Sequence, residues 1–186
     1  MHKFYRTHLN ILFAVLFGLT ASSAIATDKF SPYVDAKGNI SFPEGFQTSM
    51  VHLGSWFVPE GGASGFHGVY TEKENVEAYR KNGKFPDGAT LVKQLRASTS
   101  ADYTTGSGVS HATQELKQWF VMVKDSKGRF ADNPQWGDGW GWALFKPDDR
   151  AKNVSSDYQK DCLSCHVPAE DKDYVYTEAY PILTAK

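Results

Sequence analysis

Apolar residues along this chain fall mostly in short alternating runs punctuated by Gly, Pro, Asn and Asp, which reads as strands joined by turns. A Lys-Gly-Asn turn within 35–39 leads into a short strand, Ile40-Ser41-Phe42, stopped by Pro43. Residues 46–58 alternate weakly, with Val51, Leu53 and Phe57 on one side and Met50 and Trp56 on the other. Residues 59–65 form a glycine-rich loop, and 66–70 a second strand. Thr71 and Glu74 have the spacing of a capping box, predicting a helix to about Asn82 with Val76 and Tyr79 inward and Gly83 at its end. After a Pro86-Asp87-Gly88 turn, residues 89–96 are a strand with Leu91, Lys93 and Leu95 on one face and Thr90, Val92, Gln94 and Arg96 on the other.

Residues 98–113, rich in Ser, Thr and Gly and containing His111, read as a long loop. Residues 116–124 are apolar on both faces and predict a central strand. The last strong strand, 139–145, sets Trp140, Trp142 and Leu144 against Gly141, Ala143 and Phe145. The small residues leave room for a large flat group such as a haem; ordinary packing beneath a helix is the other reading. Residues 148–161 are polar and partly helical, and 173–183 form a short helix or turn that closes over whatever lies there. About five strands, most of them joined by short turns, with a few helices predict an α+β fold on a mainly antiparallel sheet.

Composition narrows the class. The 186 residues carry 20 Lys and Arg against 21 Asp and Glu, which provides no basic footprint for nucleic acid and no polybasic patch for a membrane surface. Residues 1–26 have the parts of an export signal: Lys3 and Arg6, an apolar stretch over 9–19, and Ala24-Ile25-Ala26 before Thr27. That stretch is short for a membrane span, which needs about 20 residues. The expectation is a periplasmic protein, free of the membrane after cleavage, with one domain over 27–186.

The only two cysteines stand in Cys162-Leu163-Ser164-Cys165-His166. The pattern C-x-x-C-H is that of covalent haem attachment, with two thioether bonds from Cys162 and Cys165 and His166 as axial ligand to the iron. A redox dithiol would follow a strand in a βαβ unit, which is not apparent here. A structural zinc would need a second ligand cluster, and a plain disulfide suits an exported chain. Lys93 on an apolar face is either paired, neutralised or chemically used, or it snorkels from a sheet edge. The sixth ligand of an electron-transfer cytochrome is a Met or a second His. Beyond the signal the chain has Met50 and Met122, both in strand patterns that suggest core, and His52, His67 and His111. An open sixth position, which binds small molecules, is the favoured expectation.

The ordered set Val69-Tyr70, 79–88 (Tyr-Arg-Lys-Asn-Gly-Lys-Phe-Pro-Asp-Gly), 91–95, 123–127, the 162–166 motif, 174–176 and 180–183 resembles the cytochrome P-460 family, which includes the cytochromes c′-beta. The resemblance implies one haem c packed against the sheet and a histidine-ligated iron with an open distal site. In P-460 members it also implies a lysine bond to a haem meso carbon, at the position of Lys93. Such members oxidise hydroxylamine with an external, soluble electron-transfer partner. The c′-beta members lack the bond, have a phenylalanine cap and bind nitric oxide. Small nitrogen oxides are thus the expected ligands, and a homodimer is an assembly that the family forms. Where well-studied members carry arginine three residues before the tyrosine of the Val-Tyr pair, this chain has His67, a candidate distal acid–base group. Phe66 beside it is the candidate cap.

Overall fold

The computed structural model describes Met1 and residues 30–184; the expected export signal lies outside the described residues. Six antiparallel strands form one sheet: β1 (Val51–Val58), β2 (Gly65–Thr71), β3 (Thr90–Tyr103), β4 (Gly106–Lys124), β5 (Trp136–Gly137) and β6 (Trp140–Phe145), in the spatial order β1-β2-β3-β4-β6-β5. This is the expected α+β architecture, but the strand expected at Ile40-Ser41-Phe42 is only an isolated bridge between Val34 and Ile40, and the two-residue β5 was not expected. Among the described residues no helix is long and apolar enough to cross a membrane.

Strand alternation divides the sheet into two faces that are covered differently. On the first face Val92, Val121, Ala143 and Phe145 pack against Val34, Ile40, Phe42 and Phe46 from the N-terminal segment and from α1 (Phe46–Ser49). On the second, Leu91, Met122, Trp140 and Trp142 meet Val76 of α2 (Lys73–Asn82) and Val175, Tyr180 and Leu183 from the C-terminal segment. The chemistry-bearing motif lies in that last segment, so the second face positions the site.

Several local expectations change. The strand expected from residue 46 begins only at Val51, after α1. β1 then carries an irregularity between His52 and Gly54. That extra residue resets the alternation, so Leu53 and Trp56, expected on opposite sides, both join the second-face cluster. α2 is capped by Glu72 rather than Thr71, whose hydroxyl donates instead to the Thr90 carbonyl at 2.7 Å. Gly83 ends the helix as expected, its N–H donating to the Tyr79 carbonyl.

The loop expected over 98–113 is a two-stranded ribbon, with Ser98 opposite Ala112 and Tyr103 opposite Gly106. Its Ser and Thr residues face solvent on both sides, so no hydrophobic alternation announced it. The small residues of 139–145 do accommodate a flat group, but that group is Trp136. A Cβ at Gly141 would stand 2.6 Å from its indole ring. Gly141 thus makes room for an indole ring of the neighbouring strand, while Ala143 borders a cavity.

Candidate functional site

β2 and β3 supply one wall of the site. His67 pairs with Leu95, and Val69 with Lys93. On the other side Lys93 pairs with Phe120 of β4. Because side chains alternate, His67, Val69, Leu91, Lys93, Leu95 and Phe120 share the second face and line one cavity of about 380 Å³, a size within the range of ligand and cofactor pockets.

The opposite wall is a helical run. One π-helical turn, Gln159–Leu163, continues through Ser164–His166 into a 3-10 segment, Val167–Lys172. Positions i, i+3 and i+4 of a helix share a face. Cys162, Cys165 and His166 have that spacing and all three line the cavity. Both thiols are free. Burial pushes the Cys162 thiol up to about 11, although Ser155 hydrogen-bonds to it, so it stays protonated at neutral pH.

His166 is oriented by its surroundings. Its Nδ1 lies 2.7 Å from the Tyr174 carbonyl oxygen. A carbonyl only accepts, so Nδ1 carries the proton and Nε2 keeps the lone pair. Trp142 meets the ring edge-on at 4.9 Å between centroids. Burial, opposed by the Tyr174 bond, holds the imidazole below its usual range. A neutral imidazole with one free nitrogen facing a cavity flanked by two thiols is a fitting donor set for a covalently held haem.

Lys93 lies on the apolar face, as its place in the alternation predicts. Its Nζ sits 4.1 Å above the centre of the Phe120 ring, and among the described residues it has no salt-bridge partner. Desolvation pulls its pKa down, and the amine lines the same cavity as the motif. A lowered pKa favours the neutral form, and the neutral form is the nucleophile.

His67 is buried, and its Nε2 lies 2.7 Å from the Ala63 carbonyl. The proton is therefore on Nε2, and Nδ1 is the basic nitrogen. Burial, with Lys93 and Lys117 adding like charge, lowers its pKa despite the Ala63 bond. The loop that supplies Ala63 is tied down by Lys117, whose Nζ donates to the Ser64 carbonyl at 2.7 Å.

Three expected residues stand elsewhere. Phe66 points away from the cavity, because it alternates with His67, and stacks on Phe57 at 4.9 Å; the phenylalanine in the cavity wall is Phe120. His52 is exposed on the first face, against Tyr70 and Ser55. His111 lies out on the ribbon, hydrogen-bonded to the Tyr103 hydroxyl. Met50 is in the first-face core as expected, whereas Met122 is both buried and part of the cavity wall. Sequence reasoning missed Trp142 as the ring against His166 and Tyr174 as its backbone acceptor. The tryptophan's alternation was a usable signal, but nothing in the residue type announces a carbonyl.

An antiparallel sheet facing a helical C-x-x-C-H run across an apolar cavity defines a c-type haem protein class. The cytochrome P460 family matches residues 43–177, which is most of the chain and includes the sheet, Lys93 and the whole motif. The chain belongs to that family, and its cofactor is haem c with iron. No curated protein sequence matches it.

Proposed function

We propose that this chain is an exported mono-haem c oxidoreductase acting on small nitrogen compounds such as hydroxylamine or nitric oxide. Cys162 and Cys165 anchor the haem: each S–H adds across one vinyl double bond, sulfur to one carbon and hydrogen to the other, with no net redox change. His166 is the proximal iron ligand through Nε2. Lys93 would hold the haem further, through Nζ at a meso carbon, a bond that would replace one N–H and one C–H and so would need a two-electron oxidant of the peroxide class from outside the protein. When bound, the iron provides the electron-accepting centre. The chain's own part is to exclude water with Val69, Leu95 and Phe120, and to take up a proton at Nδ1 of His67. Electrons leave to a soluble acceptor.

The observation that supports this reading best is Lys93: an amine with a depressed pKa and no salt-bridge partner among the described residues, in the same cavity as the attachment motif. The ferrous absorption spectrum tests it. Wild type is expected to show a strongly red-shifted Soret band that reverts in Lys93→Ala, with hydroxylamine turnover supported by an electron acceptor. An ordinary c-type spectrum in both proteins removes the lysine bond from the reading.

One feature favours a second reading, a non-catalytic nitric-oxide binder of c′-beta type. Apart from Lys93, His67 and Asp161, the cavity wall consists largely of aliphatic and aromatic residues. Nitric oxide binding without hydroxylamine turnover would establish it. A six-coordinate, low-spin iron that refuses nitric oxide would instead mark a simple electron carrier.

A further inference from the structure

The turn after the helical run is held in a costly backbone conformation. Asp173 and Tyr174 both have positive φ, 58° and 63°, and neither is glycine or asparagine. Such residues cost on the order of 1 kcal/mol each, the more so for a bulky aromatic. The consequence of this geometry is the direction of one carbonyl. The Tyr174 oxygen turns back to accept from Nδ1 of His166 at 2.7 Å.

Two strands hold the turn there. Lys124, buried at the end of β4, donates from Nζ to Oδ1 of Asp173 at 2.6 Å. Trp140 of β6 donates its indole N–H to the Asp173 carbonyl at 2.9 Å. The same ammonium lies 4.9 Å over the Trp140 ring. Oδ2 of Asp173 is buried with no hydrogen-bond partner among the described residues. Asp173 is thus gripped at its side chain and its backbone, while the residue it precedes supplies the acceptor for the histidine. Asparagine would tolerate the left-handed conformation at least as well, so the carboxylate is explained by the lysine and not by the turn.

We infer that Lys124 and Asp173 are positioning residues for the proximal histidine. Their ion pair clamps the strained turn, which keeps the Tyr174 carbonyl on Nδ1–H and so keeps Nε2 electron-rich and aimed into the cavity. The inference rests on His166 being the iron ligand, and on nothing about which nitrogen compound is turned over. A firmer Nδ1–H bond makes the imidazole a stronger donor, which stabilises the oxidised iron.

The test uses the haem-loaded protein as wild type, Asp173→Asn, Asp173→Gly, Lys124→Met and Lys124→Arg. The readouts are the ferrous iron–histidine stretching band in the resonance Raman spectrum and the midpoint potential. In Asp173→Asn and Lys124→Met the band is expected to move to lower frequency and the potential to rise. Lys124→Arg, which keeps the charge, is expected to restore both toward wild type.

The shared direction discriminates between causes. Charge acting through space alone would lower the potential when the ammonium is removed and raise it when the carboxylate is removed. Opposite shifts, or wild-type values in both variants, overturn the inference. If Lys124→Met fails to load haem, Asp173→Gly decides, because glycine relieves the backbone strain while removing the clamp; an unmoved band in that variant also overturns it. A five-coordinate, high-spin ferrous wild type with no iron–histidine band would refute the ligation reading instead.

Discussion

At the scale of single residues, the site depends on which nitrogen of each histidine carries a proton. In both cases a backbone carbonyl decides it, Tyr174 for His166 and Ala63 for His67. For His67 the result is a neutral ring with a basic Nδ1. Because burial holds its pKa below the usual 6.5, it stays neutral through pH 7 and protonates only on further acidification. Proton uptake by Nδ1 should therefore give hydroxylamine turnover an acid limb, full activity above that pKa and loss below it. His67→Gln is expected to reduce turnover by about 100-fold and to flatten that limb, as read from rate–pH profiles of the two proteins. An unchanged limb in the variant would assign the proton to another group.

The residue scale is also where the sequence was most legible. Cys162, Cys165 and His166 were named by their spacing, and helix geometry brings all three to the cavity. Lys93 and His67 were singled out by position, Lys93 in an apolar alternation and His67 in the place of a familial arginine; register then makes them neighbours on adjacent strands. Phe66 faces away from the cavity for the same physical reason that His67 faces into it, since adjacent residues on a strand point opposite ways.

Elements were legible where hydrophobic period and turn chemistry agreed, as in α2 and β6, and where an apolar run marked a central strand, as in residues 116–124 of β4. They were illegible where exposure on both faces erased the period. The exposed ribbon of β3 and β4 has no core face to advertise, so Ser- and Thr-rich strands looked like a loop. The irregularity in β1 was invisible for another reason: one extra residue reverses every later side chain, and only pairing with β2 reveals it. Gly54 sits at that irregularity for a steric cause. A Cβ there would fall 1.8 Å from the Ala179 carbonyl oxygen, where the C-terminal segment crosses β1 just before Tyr180. Burial pushes the Tyr180 phenol up to about 12, and the residue helps line the cavity. Gly54→Ala is expected to destabilise the haem-loaded protein by about 1–3 kcal/mol in urea unfolding and to weaken closure of the cavity. Wild-type stability would show that the segment can shift without cost.

Across the whole molecule, ion pairs reinforce turns that backbone hydrogen bonds at the end of the sheet already bring together. Arg129 joins Asp87, in the turn before β3, to Asp125, in the turn after β4, at 2.5 and 2.6 Å. Its guanidinium holds the Asp87 carboxyl below the ordinary 3.8. A depressed carboxyl contributes stability that is complete above its unfolded value and is lost as pH falls through the folded one. Arg129→Met is accordingly expected to cost about 1–2 kcal/mol at pH 7. The gap between the two proteins should narrow below about pH 4, as measured by unfolding at both pH values. A gap that persists in acid would mean the arginine acts through its packing on Phe30 rather than its charge.

The sheet's two faces also differ in what a substitution disturbs. Val92 and Phe145 are sealed by residues 30–46 and do not border the cavity, whereas Val121 and Ala143 belong to the same core and also line it. Exchange of Val69, Leu95 or Phe120 would therefore reshape the cavity wall while leaving the contacts of Val92 and Phe145 on the reverse side, and the strand register they support, in place.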